Sequence, residues 1–356
     1  MAWLPDVTRP PYATAPIATF VAAPGDGVLP DGFFSTSNLP TYVRLESGWQ
    51  APIRPRMDCA IVRRGEVLDT VEMRKIRSGD LVLTALDEHG GEGVVVSTDG
   101  FLGETHGANE FQFMGTQVSR ERPVNYDDLA ARVQEEKDRG GYLIWITGPA
   151  LVHARARNDF EWLIANGYVQ AVLAGNAVAV HDIEAAIFGT TLGMDNSGRP
   201  TQGGHGLHMR AINAVRRAGS IRAAVDSGLI KSGIMHAIVT RDIPFVLAGS
   251  IRDDGPLPEV ISDSLQAQDA MREHTIKATG AVFIATALHA IAVGNMLPAF
   301  HTHTDDGQPT PLMTICVDQT EFVVNKLRDR GTHQAYGVVT NAQDFMHILR
   351  MSLERC

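Results

Sequence analysis

Arg252, Asp253 and Asp254 stand side by side in the run Val246–Leu–Ala–Gly–Ser–Ile–Arg–Asp–Asp–Gly–Pro–Leu–Pro258. A guanidinium fork matches a carboxylate through two parallel hydrogen bonds. A neighbouring carboxylate can take or return a proton. Together these types suit recognition of a small acid combined with proton transfer. The run opens as a buried strand and then breaks into Gly249, Ser250, Gly255, Pro256 and Pro258. Open α/β sheets build sites in this way at their carboxyl edge. A surface ion-pair cluster, worth about 0–1 kcal/mol, is the plainer reading. Its place at the end of an apolar strand favours a site.

The elements that would position this loop recur along the chain. Tyr142–Leu–Ile–Trp–Ile–Thr147, Val169–Gln–Ala–Val–Leu–Ala174, Phe245–Val–Leu–Ala248, Ala281–Val–Phe–Ile–Ala285 and Met313–Thr–Ile–Cys–Val317 are short, nearly continuous apolar runs. Helical patterns lie near 125–139, 151–166, 177–188, 207–226, 263–278 and 319–330. Apolar strands alternating with helices predict an α/β fold, a parallel sheet with helices on both faces. Residues 41–120 read as a small β-rich N-terminal domain of short strands split by glycines. Residues 1–40, with seven prolines, read as an extended arm. The α/β domain then covers 121–356.

Parallel strands set their ends side by side. The predicted rim comprises Gly148, Pro149 and Ala150; Gly175, Asn176 and Ala177, leading to His181 and Asp182; Gly249 and Ser250; His289 and Asn295; and Asp318. Small residues let a ligand approach the backbone, and helix-start N–H groups can hold a pyrophosphate. A dinucleotide is the natural occupant, although no GxGxxG follows the first strand. Asp318 suits a ribose diol or, equally, an N-cap. Asp182 reads as a cofactor contact or a helix cap. His289 on an apolar helix start reads as a core histidine. His205 with His208, or His301 with His303 and Asp305, offers two or three of the four ligands that a structural metal wants, so no metal is assigned. No GxSxG elbow is present.

The bulk numbers narrow the classes. The formal charge is −10 over 356 residues, without a dense basic patch, which argues against nucleic acid or an anionic membrane as partner. No apolar run reaches membrane-spanning length, and no leader pattern opens the chain. Three widely spaced cysteines suit a reducing cytoplasm. The size and apolar helix faces suggest a homo-oligomer.

These segments, with Ser119–Arg–Glu–Arg–Pro123, Phe188–Gly189, Leu192–Gly193, Gly203–Gly–His205, Gly233–Ile–Met235, Ala267–Gln268, Met271–Arg272, Gly294–Asn–Met–Leu–Pro298 and Lys326–Leu–Arg–Asp–Arg–Gly331, resemble the archaeal-type ornithine cyclodeaminase family. That family carries the conserved region named after the bifunctional lysine-ketoglutarate reductase/saccharopine dehydrogenase. The chain is also similar to the C-terminal part of cyanobacterial arginine dihydrolase/ornithine cyclodeaminase. The likeness runs in order over about residues 41–350, and Leu247–Pro258 is its most specific piece.

The resemblance implies a deoxyhypusine-synthase-like NAD-binding domain, tightly held NAD, and conversion of L-ornithine or a close diamino acid to L-proline and ammonia. Arg252 is then the cation for the α-carboxylate, with Lys277 second to it, and Asp253 or Asp254 the base. Four departures fall near the rim. His205–Gly–Leu–His208 replaces the family's GHRNH, and Ala290 replaces a serine. The 300–311 segment is longer, and Gln–Thr–Glu follows Asp318. They bear on the substrate more than on the cofactor. An amino-acid or opine-type dehydrogenase and a non-catalytic NAD-binding regulator are the other readings.

Overall fold

The computed structural model describes residues 6–37, 39–53, 55–97, 124–195, 197–253, 255–298, 300–302, 309–330 and 336–356. Asp254, His303, Asp305, Gly331 and the Ser119–Pro123 motif lie outside these. The chain divides into two units. One holds residues 1–120, 294–312 and 329–334, and the other holds 121–293, 313–328 and 335–356.

In the first unit seven strands come before residue 97: β1 (Thr19–Ala22), β2 (Thr41–Leu45), β3 (Gly48–Gln50), β4 (Ala60–Arg64), β5 (Val67–Val71), β6 (Leu81–Thr84) and β7 (Val94–Val96). They form antiparallel sheets ordered β1-β6-β4-β5 and β3-β2-β7. Side chains alternate across each pleat. Val43, Leu45, Val94 and Val96 of one sheet share a core with Ile61, Leu68 and Leu83 of the other. Val62 and Val82 face the opposite way, into a second core with Ile76. Residues 19–22, expected in an extended arm, instead form the edge strand β1, pairing Thr19–Ala22 with Leu81–Thr84. Their mostly exposed side chains leave no alternation to read in the sequence.

The second unit runs α1 (Tyr126–Asp138), β8 (Leu143–Thr147), α2 (Ala150–His153), α3 (Arg157–Ala165), β9 (Ala171–Gly175), α4 (Asn176–Phe188), α5 (Leu207–Ala218), α6 (Ile221–Asp226), α7 (Ile234–Thr240), β10 (Phe245–Ala248), β11 (Val260–Ile261), α8 (Ser264–Thr275), β12 (Gly280–Ile284) and α9 (Ala287–Met296). The hairpin β13 (Phe300–Thr302) and β14 (Pro309–Pro311) belongs to the first unit. The chain then continues through β15 (Met313–Asp318), α10 (Glu321–Arg330), β16 (Tyr336–Val339) and α11 (Ala342–Leu353). Asn125 caps α1 by accepting the Asp128 N–H. The predicted 207–226 helix divides because Gly219 turns left-handed and Ser220 caps a new start.

Seven strands make one parallel sheet, ordered β11-β10-β9-β8-β12-β15-β16. Trp145, Val172, Leu247, Val282 and Ile315 point to one face, into a core with helix residues such as Phe160, Leu163, Ile183, Ile238 and Phe345. The intervening strand residues Ile144, Leu173 and Phe283 are also buried, on the opposite face. Burial on both sides explains the continuous apolar runs. From β8 the chain steps outward through β9, β10 and β11, then resumes at β12 on the other side of β8. The order of winding therefore reverses between β8 and β12, and α/β sheets bind ligands outside the carboxyl ends of such a pair.

Candidate functional site

At that reversal Gly148 follows β8 and Ala285 follows β12. The Gly148 N–H donates to the Ile284 carbonyl at 2.9 Å. A Cβ built on Gly148 would stand 1.8 Å from the Ala285 oxygen. Only glycine permits this approach. Ala285 itself is left-handed, with φ of 58°, a conformation that costs an L-residue about 1–2 kcal/mol. Thr147, the last residue of β8, is fully buried, and its Oγ1 has no hydrogen-bond partner among the described residues. Pro149 and Ala150 lead into α2, and Ala150 is exposed.

One strand over, Gly175 ends β9 and α4 begins at once. Its N-cap is Gly175, no side chain caps it, and no acidic residue stands in its first turn. The N–H groups of a 13-residue helix therefore start at the sheet's carboxyl edge with their partial positive charge unneutralised by a cap. Asn176 lends backbone rather than side chain to this surface. Its Nδ2 donates to Asp253 Oδ1 at 3.0 Å, and its Oδ1 accepts the Leu257 N–H at 3.2 Å. The Asn176 side chain is thus a tie across the β10–β11 loop.

That loop is fixed from within. Asp253 Oδ2 accepts the Ser250 N–H at 2.8 Å, the Asp253 N–H donates to the Ser250 carbonyl, and the Arg252 N–H reaches Ser250 Oγ. Gly249 is needed for packing, because a Cβ there would lie 2.9 Å from Ser262 Cα. Arg252 is exposed, and Asp253 is half-buried. Ile251 beside them is fully exposed.

His289, on the first turn of α9, lies across Gly175. A Cβ on that glycine would meet His289 Cε1 at 2.8 Å and Nε2 at 3.3 Å. Burial lowers the imidazole's pKa, while the nearby Asp253 carboxylate opposes that. No local pattern signals this pairing, since an apolar helix start hides what the neighbouring strand brings to it.

Three β-strands beyond Gly175, Asp318 ends β15. Its Oδ1 accepts from both the N–H and the hydroxyl of Thr320, each at 2.9 Å. Because α10 begins at Glu321, this is a turn leading into the helix rather than its N-cap, and Oδ2 has no partner among the described residues. Asn295, on the last turn of α9, belongs to the first unit, and its buried Oδ1 has no hydrogen-bond partner among the described residues.

Two predicted residues are not brought to this edge. Lys277 precedes β12 and is exposed near its amino end, next to His274. The carboxyl rim is the opposite end of that strand, so Lys277 is no second cation for it. Asp182 is fully buried and saturated. Its Oδ1 accepts from Arg157 Nε at 2.6 Å and the Ile234 N–H at 2.9 Å, and its Oδ2 from the Met235 N–H at 2.8 Å. It caps α7 across the fold and offers nothing to a cofactor.

Sequence reasoning also passed over a second polar cluster. His153 and His181 meet edge to face at 4.5 Å between ring centroids. His181 Nδ1 lies 3.4 Å from Glu184 Oε2, and Glu184 accepts from Thr190 Oγ1 and the N–H groups of Leu192 and Gly193. Burial, then His181, pushes the His153 pKa down to about 4. Burial would raise Glu184, but the His181 and Gly193 hydrogen bonds outweigh it and leave the pKa lowered.

Residues 127–349 match the family described as arginine dihydrolase ArgZ-like, C-terminal, Rossmann fold, and residues 40–126 match its C-terminal first region. The chain belongs to the ArgZ-like C-terminal family. An ornithine cyclodeaminase of Methanopyrus kandleri is 42% identical over 355 residues, covering 97% of this chain and 81% of that protein. Among solved structures, a LOR/SDH protein from Methanococcus maripaludis S2 aligns with a TM-score of 0.84 at 40% identity, covering 96% of this chain and 99% of that one. A ternary complex of AgrE with ornithine and NAD⁺ aligns with a TM-score of 0.61 at 35% identity, covering 96% of this chain but 46% of AgrE. For an ArgZ-like chain, the Rossmann fold stands without a GxGxxG after its first strand. No helix among the described residues is long and apolar enough to cross a membrane.

Proposed function

We propose that this chain is an NAD-dependent cyclodeaminase that converts L-ornithine, or a diamino acid of similar length, to a cyclic imino acid such as L-proline with release of ammonia. The observation that carries the reading is the Gly148–Ala285 contact at the winding reversal, next to the uncapped start of α4. A dinucleotide fits there. Gly148 and Gly175 admit the close approaches of the Ala285 backbone and the His289 ring that shape this rim, the Asn176 and Ala177 N–H groups suit a pyrophosphate, and Asp318 Oδ2 suits a ribose hydroxyl. The orphaned Thr147 Oγ1 is a further polar group at this rim. The ornithine–NAD⁺ complex of AgrE supports the pairing of ligands.

Bound NAD supplies a two-electron acceptor at the substrate α-carbon that becomes the donor again within one turnover, so no net oxidation results. The protein's own residues must bind, orient and exclude water. Arg252, exposed at the rim, holds the α-carboxylate through its fork. Asp253 fixes the Arg252 loop through Asn176 and Ser250. The exposed side chains of Ile251 and Leu288 supply apolar surface at the same rim, which suits the methylene chain of a diamino acid and helps keep water from a reactive imine.

The test is to incubate purified protein with NAD and ornithine, lysine or 2,4-diaminobutyrate, following ammonia, product and absorbance at 340 nm. Ammonia and proline in equal amounts without sustained NADH support the reading. Steady NADH accumulation would replace it with an amino-acid dehydrogenase.

A further inference from the structure

We propose that His289, rather than Asp253, is the proton-accepting base of this crevice, with Asp253 as the carboxylate that supports its charge; this rests on the cyclodeaminase reading above. Three observations carry it. Asp253 is committed elsewhere, because Asn176 Nδ2 and the Ser250 N–H occupy one oxygen each. The His289 ring lies on Gly175, where any side chain would displace it. Its two nitrogens make no hydrogen bond among the described residues, so one is available to a ligand.

The surroundings suit a neutral imidazole that charges during turnover. On α9 no other residue titrates. From β9 and the start of α4 the neighbours are Gly175 and Asn176, and His181 and Asp182 lie more than one turn along the helix, engaged elsewhere. From the β10–β11 loop comes Asp253. Burial holds the ring below its usual pKa, which favours the neutral imidazole, while Asp253 works against that and stands as a counter-charge to its cation.

The proton bookkeeping closes. The α-ammonium sheds one proton to solvent as the α-carbon imine forms, a proton that the ring nitrogen of the product later regains, and the imidazole takes one proton from the terminal ammonium, freeing its lone pair, and becomes imidazolium. The bond from the α-carbon to its nitrogen breaks and a bond to the terminal nitrogen forms. The imidazolium returns its proton to the departing nitrogen, which leaves as ammonium, and the two-electron exchange at the α-carbon cancels over the turnover.

The experiment compares wild type, His289→Gln, His289→Ala and Gly175→Ala for ammonia release, NAD binding by fluorescence and pH–rate profile. His289→Gln should bind NAD as wild type does and lose turnover by ~10²–10⁴-fold, the usual worth of a general base. Added imidazole should restore part of the activity of His289→Ala. The acid limb of wild-type kcat/KM, with its midpoint below 6.5, should be absent from both. Gly175→Ala, by moving the ring, should lower kcat with the fold retained. A His289→Gln enzyme with full turnover and an unchanged pH profile overturns the assignment while the cyclodeaminase reading stands. Wild-type protein that binds NAD but releases no ammonia from any diamino acid overturns that reading instead. Should both His289 variants fail to fold, a wild-type profile without that acid limb overturns the assignment by itself.

Discussion

Gly148 and Ala285 touch backbone to backbone across the ends of two neighbouring parallel strands, so closely that a single methyl group on Gly148 would stand 1.8 Å from the Ala285 oxygen. Gly148→Ala must part β8 from β12 at their carboxyl ends. We expect a loss of about 1–3 kcal/mol in stability, as for other overpacked sites, together with weakened NAD binding. Chemical denaturation and cofactor titration measure the two effects.

Asp182→Ala should behave as a folding mutation. The carboxylate is fully buried with Arg157 and two α7 N–H groups as partners. Removing one partner of such a pair costs about 3–5 kcal/mol. Urea midpoints should fall sharply, whereas folded enzyme at low temperature should keep its affinity for NAD. A selective loss of NAD affinity with unchanged stability would restore the cofactor role that the sequence suggested.

Much of the fold was legible in the sequence, for a definite reason. Trp145, Val172 and Phe283 sit in strands covered on both faces, so their apolar runs survive without alternation. Edge strands gave no such signal. Val260–Ile261 is two half-buried residues, and Tyr336–Val339 is partly exposed. The site was half legible. Arg252 and Asp253 were flagged by type, and Gly148 and Gly175 by position. What could not be read was pairing across the fold, such as His289 over Gly175, Asn176 with Asp253, and Asp182 with the start of α7. No local pattern encodes such contacts.

Arg252→Ala should raise KM for the diamino acid by ten- to a hundredfold, equal to about 1.5–3 kcal/mol for a charged hydrogen-bonded contact, with little change in NAD binding. Lys277→Ala, at the other end of β12, should leave KM within about twofold of wild type, as surface changes usually do. Steady-state kinetics on both variants checks the contrast, and equal effects would remove Arg252 from its role.

His153 predicts a pH dependence of stability. Its folded pKa is about 4, against 6.5 for the ordinary group. The unfolded chain therefore binds this proton first as pH falls. The contribution is complete above pH 6.5 and shrinks steadily toward pH 4, amounting to about 2–3 kcal/mol across the window. Melting temperatures at pH 7.5 and 5.0 should differ less in His153→Phe than in wild type. An identical acid-induced drop in both would show that His153 charges freely in the native fold.

Asn176→Ala should release the Asp253 loop from the start of α4 and lower kcat. Combined with Asp253→Ala it should add almost nothing, because both changes remove one link. A double-mutant cycle in kcat/KM tests this, and additive losses would mean the residues act separately.

The left-handed backbone of Ala285 sets survival against activity in any search for sturdier variants. Glycine relaxes that conformation, so Ala285→Gly should be enriched by selection for heat resistance. The same exchange frees the β12 end that presses on Gly148, and screens that reward endurance alone would collect proteins that last longer and turn over less.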